Sequence, residues 1–416
     1  MTQSSADGGQ DELPRAAILN AAPDSSIAIV TDGMWRKSLS AIRALGKAGF
    51  RVHVLGDSWL TVGFWSHFTR QRVLAPDARE NATGFGKVLL AHLQSVAAAL
   101  PTGARPVLLP MEEDSLRFVV NARETLRIYA DFLVPDADAL EVCLNKGATM
   151  ALAARLGIAH PRTQVAQSAA ELLKLAADFA PSEFVVKPLR GLGSQGVRYN
   201  PSFDAHSAQA YWQAYGAALV QDRIPAEGDA IGVSLLLGTD GACLAHFSHK
   251  RLQQYPNSGG PSTDRIGIDD PDLLEKSLTL MRALRWNGVA MVEWKIDPRD
   301  ATPRLLEINP RFWGSLELAI RSGVNFPVLY AQAAAGQPML YSQPLKGVRC
   351  RWLVPGDILR WITARPAARE SLVTFLGGLP RQAEEWDPQD ISGALACVVC
   401  QGLAALRPKY WKFLSR

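Results

Sequence analysis

The sequence predicts a multidomain protein of mixed α/β and α+β class: a Rossmann-like domain first, a largely stranded region in the middle, and a mostly helical C-terminal segment. Three observations predict it. Apolar runs alternate with helical spacing through the first third of the chain. From 184 to 309 the pattern is mostly strand with one helix. Finally, 416 residues that are 48% hydrophobic and 20% charged are enough to build more than one large core.

The elements follow in order. Residues 1–24 are polar and rich in Ser, Asp, Gly and Ala, and read as a disordered leader. An apolar run at 26–31 ends at Asp32 and Gly33. Helical spacing over 37–47 follows (Leu39, Ile42, Leu45), Gly49 closes it, and 51–55 returns as a strand. This β-α-β unit calls for a parallel sheet. Its first turn, 31–38, lacks the three glycines that seat a dinucleotide pyrophosphate on a helix N-terminus, so no NAD site is expected there. The alternation recurs as a strand at 106–110 and a helix at 114–126. Further helices are expected at 145–156, 168–179 and 271–284. The expected divisions are 25–138, 139–222, 223–340 and 341–416.

Composition narrows the function. Lys and Arg total 44 against 40 acids, a net charge of +4, which is too small a basic footprint for a nucleic-acid binder. Five cysteines, an odd number thinly spread, fit a reducing compartment. With no signal-peptide pattern and no run of 18 apolar residues, a cytoplasmic location is expected. Cys397 and Cys400 have C-x-x-C spacing without a second pair, so packed thiols are expected rather than zinc. Neither G-x-S-x-G nor H-E-x-x-H occurs. Of the eleven tryptophans, Trp35 and Trp313 lie nearest the expected pocket edges.

Two segments carry chemistry. In 184–199, Gly191, Gly193 and Gly196 match G-x-G-x-x-G, but the turn runs into another strand and not a helix. It is therefore a hairpin loop whose backbone N–H groups can cover phosphates, with Ser194 inside it and Lys187 on the strand before it. In 288–297, Glu293 interrupts an otherwise apolar strand. The returning strand at 304–311 places Glu307 and Asn309 on one face by period-two alternation. If these strands pair, two carboxylates and an amide oxygen meet as a hard-oxygen set suited to Mg²⁺. Arg311, two residues on, faces the same pocket and can clamp a carboxylate bidentately.

Together VVKP with GLGSQG, NGVAMVEWKID, HKRLQQYP, GGPSTDR and EINPRFWGSLELAIRSGVNFP resemble the ATP-grasp superfamily. Within it they resemble the stand-alone carboxylate–amine ligase-like branch, related to carbamoyl-phosphate synthase and biotin carboxylase domains. The resemblance spans roughly residues 25–335 and implies a Rossmann-like domain followed by two α+β subdomains clasping ATP. It implies Lys146 and Lys187 on the ATP phosphates under the loop of Gly191, Gly193, Ser194 and Gly196. Gln221, Asp222 and Ile224 would form the adenine-reading hinge, and Asp229 would meet the ribose. Glu293, Glu307 and Asn309 would hold one or two Mg²⁺ (or Mn²⁺). Arg311 and Lys250 would act on the acyl substrate, acceptor or γ-phosphate. The implied reaction joins a small carboxylate, such as an amino acid, to an amine through an acylphosphate; a homodimer is expected separately. The rival readings are bicarbonate activation and an ATP-binding module without catalysis.

The net charge has an address. Residues 391–416 hold no acid, and Arg407, Lys409, Lys412 and Arg416 equal the whole surplus. Interleaved with Tyr410, Trp411 and Phe413, they suit an interfacial anchor on an anionic membrane. They suit more readily the solvated end of a helix packed on its own core.

Overall fold

The computed structural model describes residues 26–180, 182–191, 196–256, 260–365 and 369–405. Strands β1 (Ile27–Val30), β2 (Arg51–Gly56), β3 (Thr69–Leu74) and β4 (Val107–Leu109) form a parallel sheet in the order β3-β2-β1-β4. The helix Arg36–Lys47 connects β1 to β2 as the periodicity predicts. The expected helix at 114–126 is divided into Glu113–Asn121 and Arg123–Leu126.

The first β-α turn is closed by a carboxylate instead of by glycines. Asp32 sits at φ 54° and accepts hydrogen bonds from the Ser115 hydroxyl and the Glu112 N–H. Burial, helped by the nearby Glu112, pushes its pKa up to about 6.

Strands β5 (Thr163–Ala166), β6 (Phe184–Pro188), β7 (Arg198–Tyr199) and β8 (Ala218–Asp222) form a small antiparallel sheet ordered β5-β8-β6-β7. The β6–β7 hairpin is the one read from the sequence. The helix Ala205–Tyr215, which the reading of 184–309 as nearly all strand omits, packs beside it. Its start is a capping box, in which Ser207 N–H donates to Asp204 at 2.7 Å and the Ser207 hydroxyl accepts from the Asp204 N–H at 2.9 Å. Only Ala208 and Tyr211 of this helix are buried, too few for a clear apolar stripe.

Strands β9 (Ala230–Leu237), β10 (Cys243–Gln254), β11 (Ser262–Ile268), β12 (Gly288–Asp297), β13 (Thr302–Asn309) and β14 (Arg349–Arg351) make a six-stranded antiparallel sheet, β13-β12-β9-β10-β11-β14. The last strand lies in the segment read as helical, and three residues give no period to detect. Tyr330 joins this body to the parallel sheet, its hydroxyl donating to the Leu133 carbonyl at 3.0 Å and accepting from the Leu133 N–H at 3.0 Å. Trp313 is wholly buried against Phe326 in the core and is not among the residues lining the cavity between the small sheet and the six-stranded sheet.

The C-terminal segment closes back on the N-terminal domain. Cys397 and Cys400 are free, buried thiols that pack on Leu39 and Val62, as the spacing argument expects. Arg43, buried, donates from Nε to Asp390 Oδ2 at 2.8 Å and from Nη2 to the Glu385 carbonyl at 3.0 Å. Glu384 binds both Arg36 and Arg265. Replacing one partner of such a buried pair strands the other charge. Arg43→Met is therefore expected to lower unfolding free energy by about 3–5 kcal/mol in denaturant titration. It should also open the segment after residue 384 to protease, as read by mass spectrometry of limited digests.

Candidate active site

A cavity of about 940 Å³ lies between the small sheet and the six-stranded sheet, and the first turn of the N-terminal domain walls one end of it. Its floor is the β12–β13 hairpin. Glu293 and Glu307 are directly paired across it, and Met291 pairs with Asn309, so the two carboxylates and the amide share one face. The alternation read from the sequence puts them there because paired residues of a hairpin point the same way.

Opposed carboxylates need cations. The Arg251 guanidinium donates to Glu293, whose other oxygen accepts from Asn309 Nδ2 at 3.0 Å. Lys146 Nζ lies 3.9 Å from Glu307 and donates to the Gly191 carbonyl at 3.1 Å. Burial pushes the Glu293 carboxyl up, and Arg251 only partly offsets it. Burial pushes Glu307 up as well, but Lys146, Lys187 and two arginines outweigh it and hold its carboxyl below the usual range. Burial brings Lys187 down to about 8, against the opposing pull of Glu307.

Local structure fixes each group. Lys146 opens the helix Lys146–Arg155, capped by Asn145, whose side-chain oxygen accepts from Gly147 N–H at 3.0 Å and Ala148 N–H at 3.1 Å. Gly196 has φ 70°, and a Cβ there would meet Pro188 Cγ at 2.8 Å, so only glycine turns the chain back into β7. Gly193 and Ser194 lie outside the described residues. Gln221, Asp222, Ile224 and Asp229 all line the cavity. The Gln221 side chain is committed to structure, donating from Nε2 to Thr163 Oγ1 at 2.7 Å, and Asp222 pairs with Arg162 at 3.1 Å.

Among the described expected site residues, Gly196 and Lys250 do not line the cavity. Glu293 pairs with Gly232, and Gly232 with His249, so these three make one row across the sheet. Lys250, next along β10, falls on the opposite face, and its Nζ pairs with Asp229 at 2.7 Å. Arg251, one residue further, returns to the cavity face and takes the place expected of Lys250. The row also needs Gly232, where a Cβ would sit 2.4 Å from His249 Cε1.

Other residues of the site escape a sequence reading. Arg311 Nε lies 3.4 Å from both Glu112 and Glu113 of the N-terminal domain, and Lys37 Nζ pairs with Glu112 at 2.8 Å. Trp35 edges the cavity as expected, and Arg36 stacks 4.3 Å over the Trp352 ring nearby. The only sequence signal for these was their position at strand ends, at 32–37 and 110–113.

Among the described residues no group of three or more His, Cys, Asp and Glu forms a metal cage. The donor set nevertheless fits Mg²⁺: two carboxylates and an amide, all hard oxygens, facing a cavity from which phosphate and water could complete an octahedron. Eleven lysines and arginines line that cavity against seven acids, which suits an anionic ligand.

Comparison with known proteins agrees with this geometry. Residues 260–354 match a family model described as ATP-grasp in the biosynthetic pathway with Ter operon. No curated protein matches the chain in sequence. Among solved structures, biotin carboxylase from Campylobacter jejuni superposes with TM-score 0.60 at 14% identity, over 78% of this chain and 74% of that one. N5-carboxyaminoimidazole synthetase from Staphylococcus aureus, complexed with ADP, gives 0.58 at 15%, over 79% and 82%. An L-amino acid ligase from Bacillus licheniformis gives 0.53 at 18%, over 77% and 75%. Two α+β lobes flank a basic cavity with a carboxylate floor. The chain has the ATP-grasp fold.

The depressed pKa of Lys187 has a direct readout. At pH 8 about half of it is neutral, against well under a hundredth of an ordinary lysine. Brief acylation at pH 8 followed by peptide mapping should label Lys187 at least tenfold faster than surface lysines. Equal labelling would contradict the burial argument.

Proposed function

We propose that this protein is an ATP-dependent ligase that joins a small carboxylate to an amine, releasing ADP and phosphate. The observation that carries the reading is the directly opposed pair Glu293 and Glu307, with Lys146, Lys187, Arg251 and Arg311 converging on it. That arrangement suits a ligand with concentrated negative charge bound through a divalent ion.

In this reading Lys146 and Lys187 hold the ATP phosphates, and the turn from Gly191 to Gly196 covers them. The chain between 221 and 229 borders the adenosine end. Glu293, Glu307 and Asn309 would hold Mg²⁺, which when bound supplies neutralisation of phosphate charge. Arg251, which pairs with Glu293, would be free to face the substrate if that carboxylate held Mg²⁺. Arg311, steadied by Glu112 and Glu113, orients the carboxylate of the acid substrate.

The substrate carboxylate oxygen attacks the γ-phosphorus, and the bond to the β–γ bridging oxygen breaks, giving an acylphosphate and ADP. The amine nitrogen then attacks the acyl carbon, phosphate departs with the C–O bonding pair, and the amine loses its proton. Water would destroy the acylphosphate, so the cavity must close during turnover. Likeness to an L-amino acid ligase supports amino acids as the first candidates, and likeness to biotin carboxylase supports testing bicarbonate.

Phosphate release from ATP, screened across amino acids, small acids and bicarbonate with and without amines, tests the reading. Release that requires both an acid and an amine is expected. Bicarbonate-dependent release without an amine would indicate a carboxylase, and no stimulated release would indicate a binding module. Glu307→Gln should cut turnover at least a hundredfold with the fold intact by circular dichroism. An unchanged rate would remove Glu307 from the site.

A further inference from the structure

The helix Ile391–Ala405 is buried on one face only. Ala396, Cys397 and Cys400 pack on Leu39 and Val62, close behind Met34 at the cavity wall. On the other face Ile391, Leu395, Val398, Val399 and Leu403 recur at helical spacing, each between 43% and 60% exposed. An apolar stripe of this length left in water is a contact surface in waiting.

Charge around the stripe is segregated. Glu384, Glu385, Asp387 and Asp390 precede the helix, and all four are buried. Glu384, Asp387 and Asp390 turn inward onto Arg36, Arg265, Lys47 and Arg43. No acid follows them to residue 416, whereas Arg407, Lys409, Lys412 and Arg416 do, interleaved with Tyr410, Trp411 and Phe413. The short helix Val62–Trp65, on which this helix packs, leaves Trp65 exposed, with the Arg72 guanidinium 5.9 Å from its ring centre. The described part of the segment thus presents an apolar face without a competing exposed acid, and the sequence after it is basic and aromatic.

We propose that this helix face, together with the basic and aromatic residues that follow it in sequence, docks the protein on an anionic lipid surface. A second copy of the chain fits less well, because two acid-free, basic tails brought together would repel, whereas anionic headgroups complement them. No described helix is long and apolar enough to cross a membrane, so the contact is peripheral.

Co-sedimentation of the full chain with vesicles tests this. Pelleting is expected with mixed phosphatidylglycerol–phosphatidylcholine vesicles. It should be at least tenfold weaker with phosphatidylcholine alone, or with the mixed vesicles at about 0.5 M salt. The pair Leu395→Asp and Val399→Asp should reduce binding at least tenfold with unchanged thermal unfolding. If that pair loosens the helix, Lys409→Glu with Lys412→Glu tests the charge alone and should reduce binding likewise. Absence of pelleting, or equal pelleting by the wild type and the tail variant, overturns the proposal. So does a doubled solution mass that Leu395→Asp with Val399→Asp abolishes while vesicles are ignored.

Discussion

Two carboxylates on directly opposed residues of a single hairpin, Glu293 and Glu307, repel each other and lose solvation in the cavity they floor. Such a pair persists only if cations surround it. In this chain the cations come from different parts of the sequence: Lys146 from a helix start, Lys187 from the small sheet, Arg251 from β10 and Arg311 from just past β13. Each brings its element toward the hairpin. The same charge balance that stabilises the site therefore gathers these cationic groups around one hairpin.

Much of that site was legible because its signals are local. A charged residue inside an apolar strand is costly enough to stand out, and period-two alternation carried Glu307 and Asn309 to the right face without knowledge of the fold. Lys250 was misplaced for the opposite reason. Which face of β10 meets the carboxylates depends on its register with β9 and of β9 with β12, and two adjacent basic residues look alike in sequence. Lys37, Glu112 and Glu113 reach the site only through the docking of one domain on another, and no short pattern encodes that contact.

The fold shows the same division. The helices Arg36–Lys47, Lys146–Arg155 and Ala169–Phe179 could be read from periodicity and end signals such as Asn145, Gly157 and Ser168. The three-residue β14 and the weakly amphipathic helix Ala205–Tyr215 offered too little repeated pattern. Their places are set by the sheet edge and the hairpin they cover.

The closure of the C-terminal segment on the first domain has a consequence for how the chain matures on the ribosome. Arg43 is synthesised early, yet its carboxylate partner Asp390 lies 347 residues downstream. While the intervening domains emerge, Arg36, Arg43 and Lys47 of one helix lack their native counter-charges, and the apolar patch around Leu39 and Val62 lacks its cover. The first domain is thus finished last, and long-range closure of this kind is slow relative to local folding. A nascent chain halted before residue 384 would expose that patch, making the interval before release the time of greatest aggregation risk.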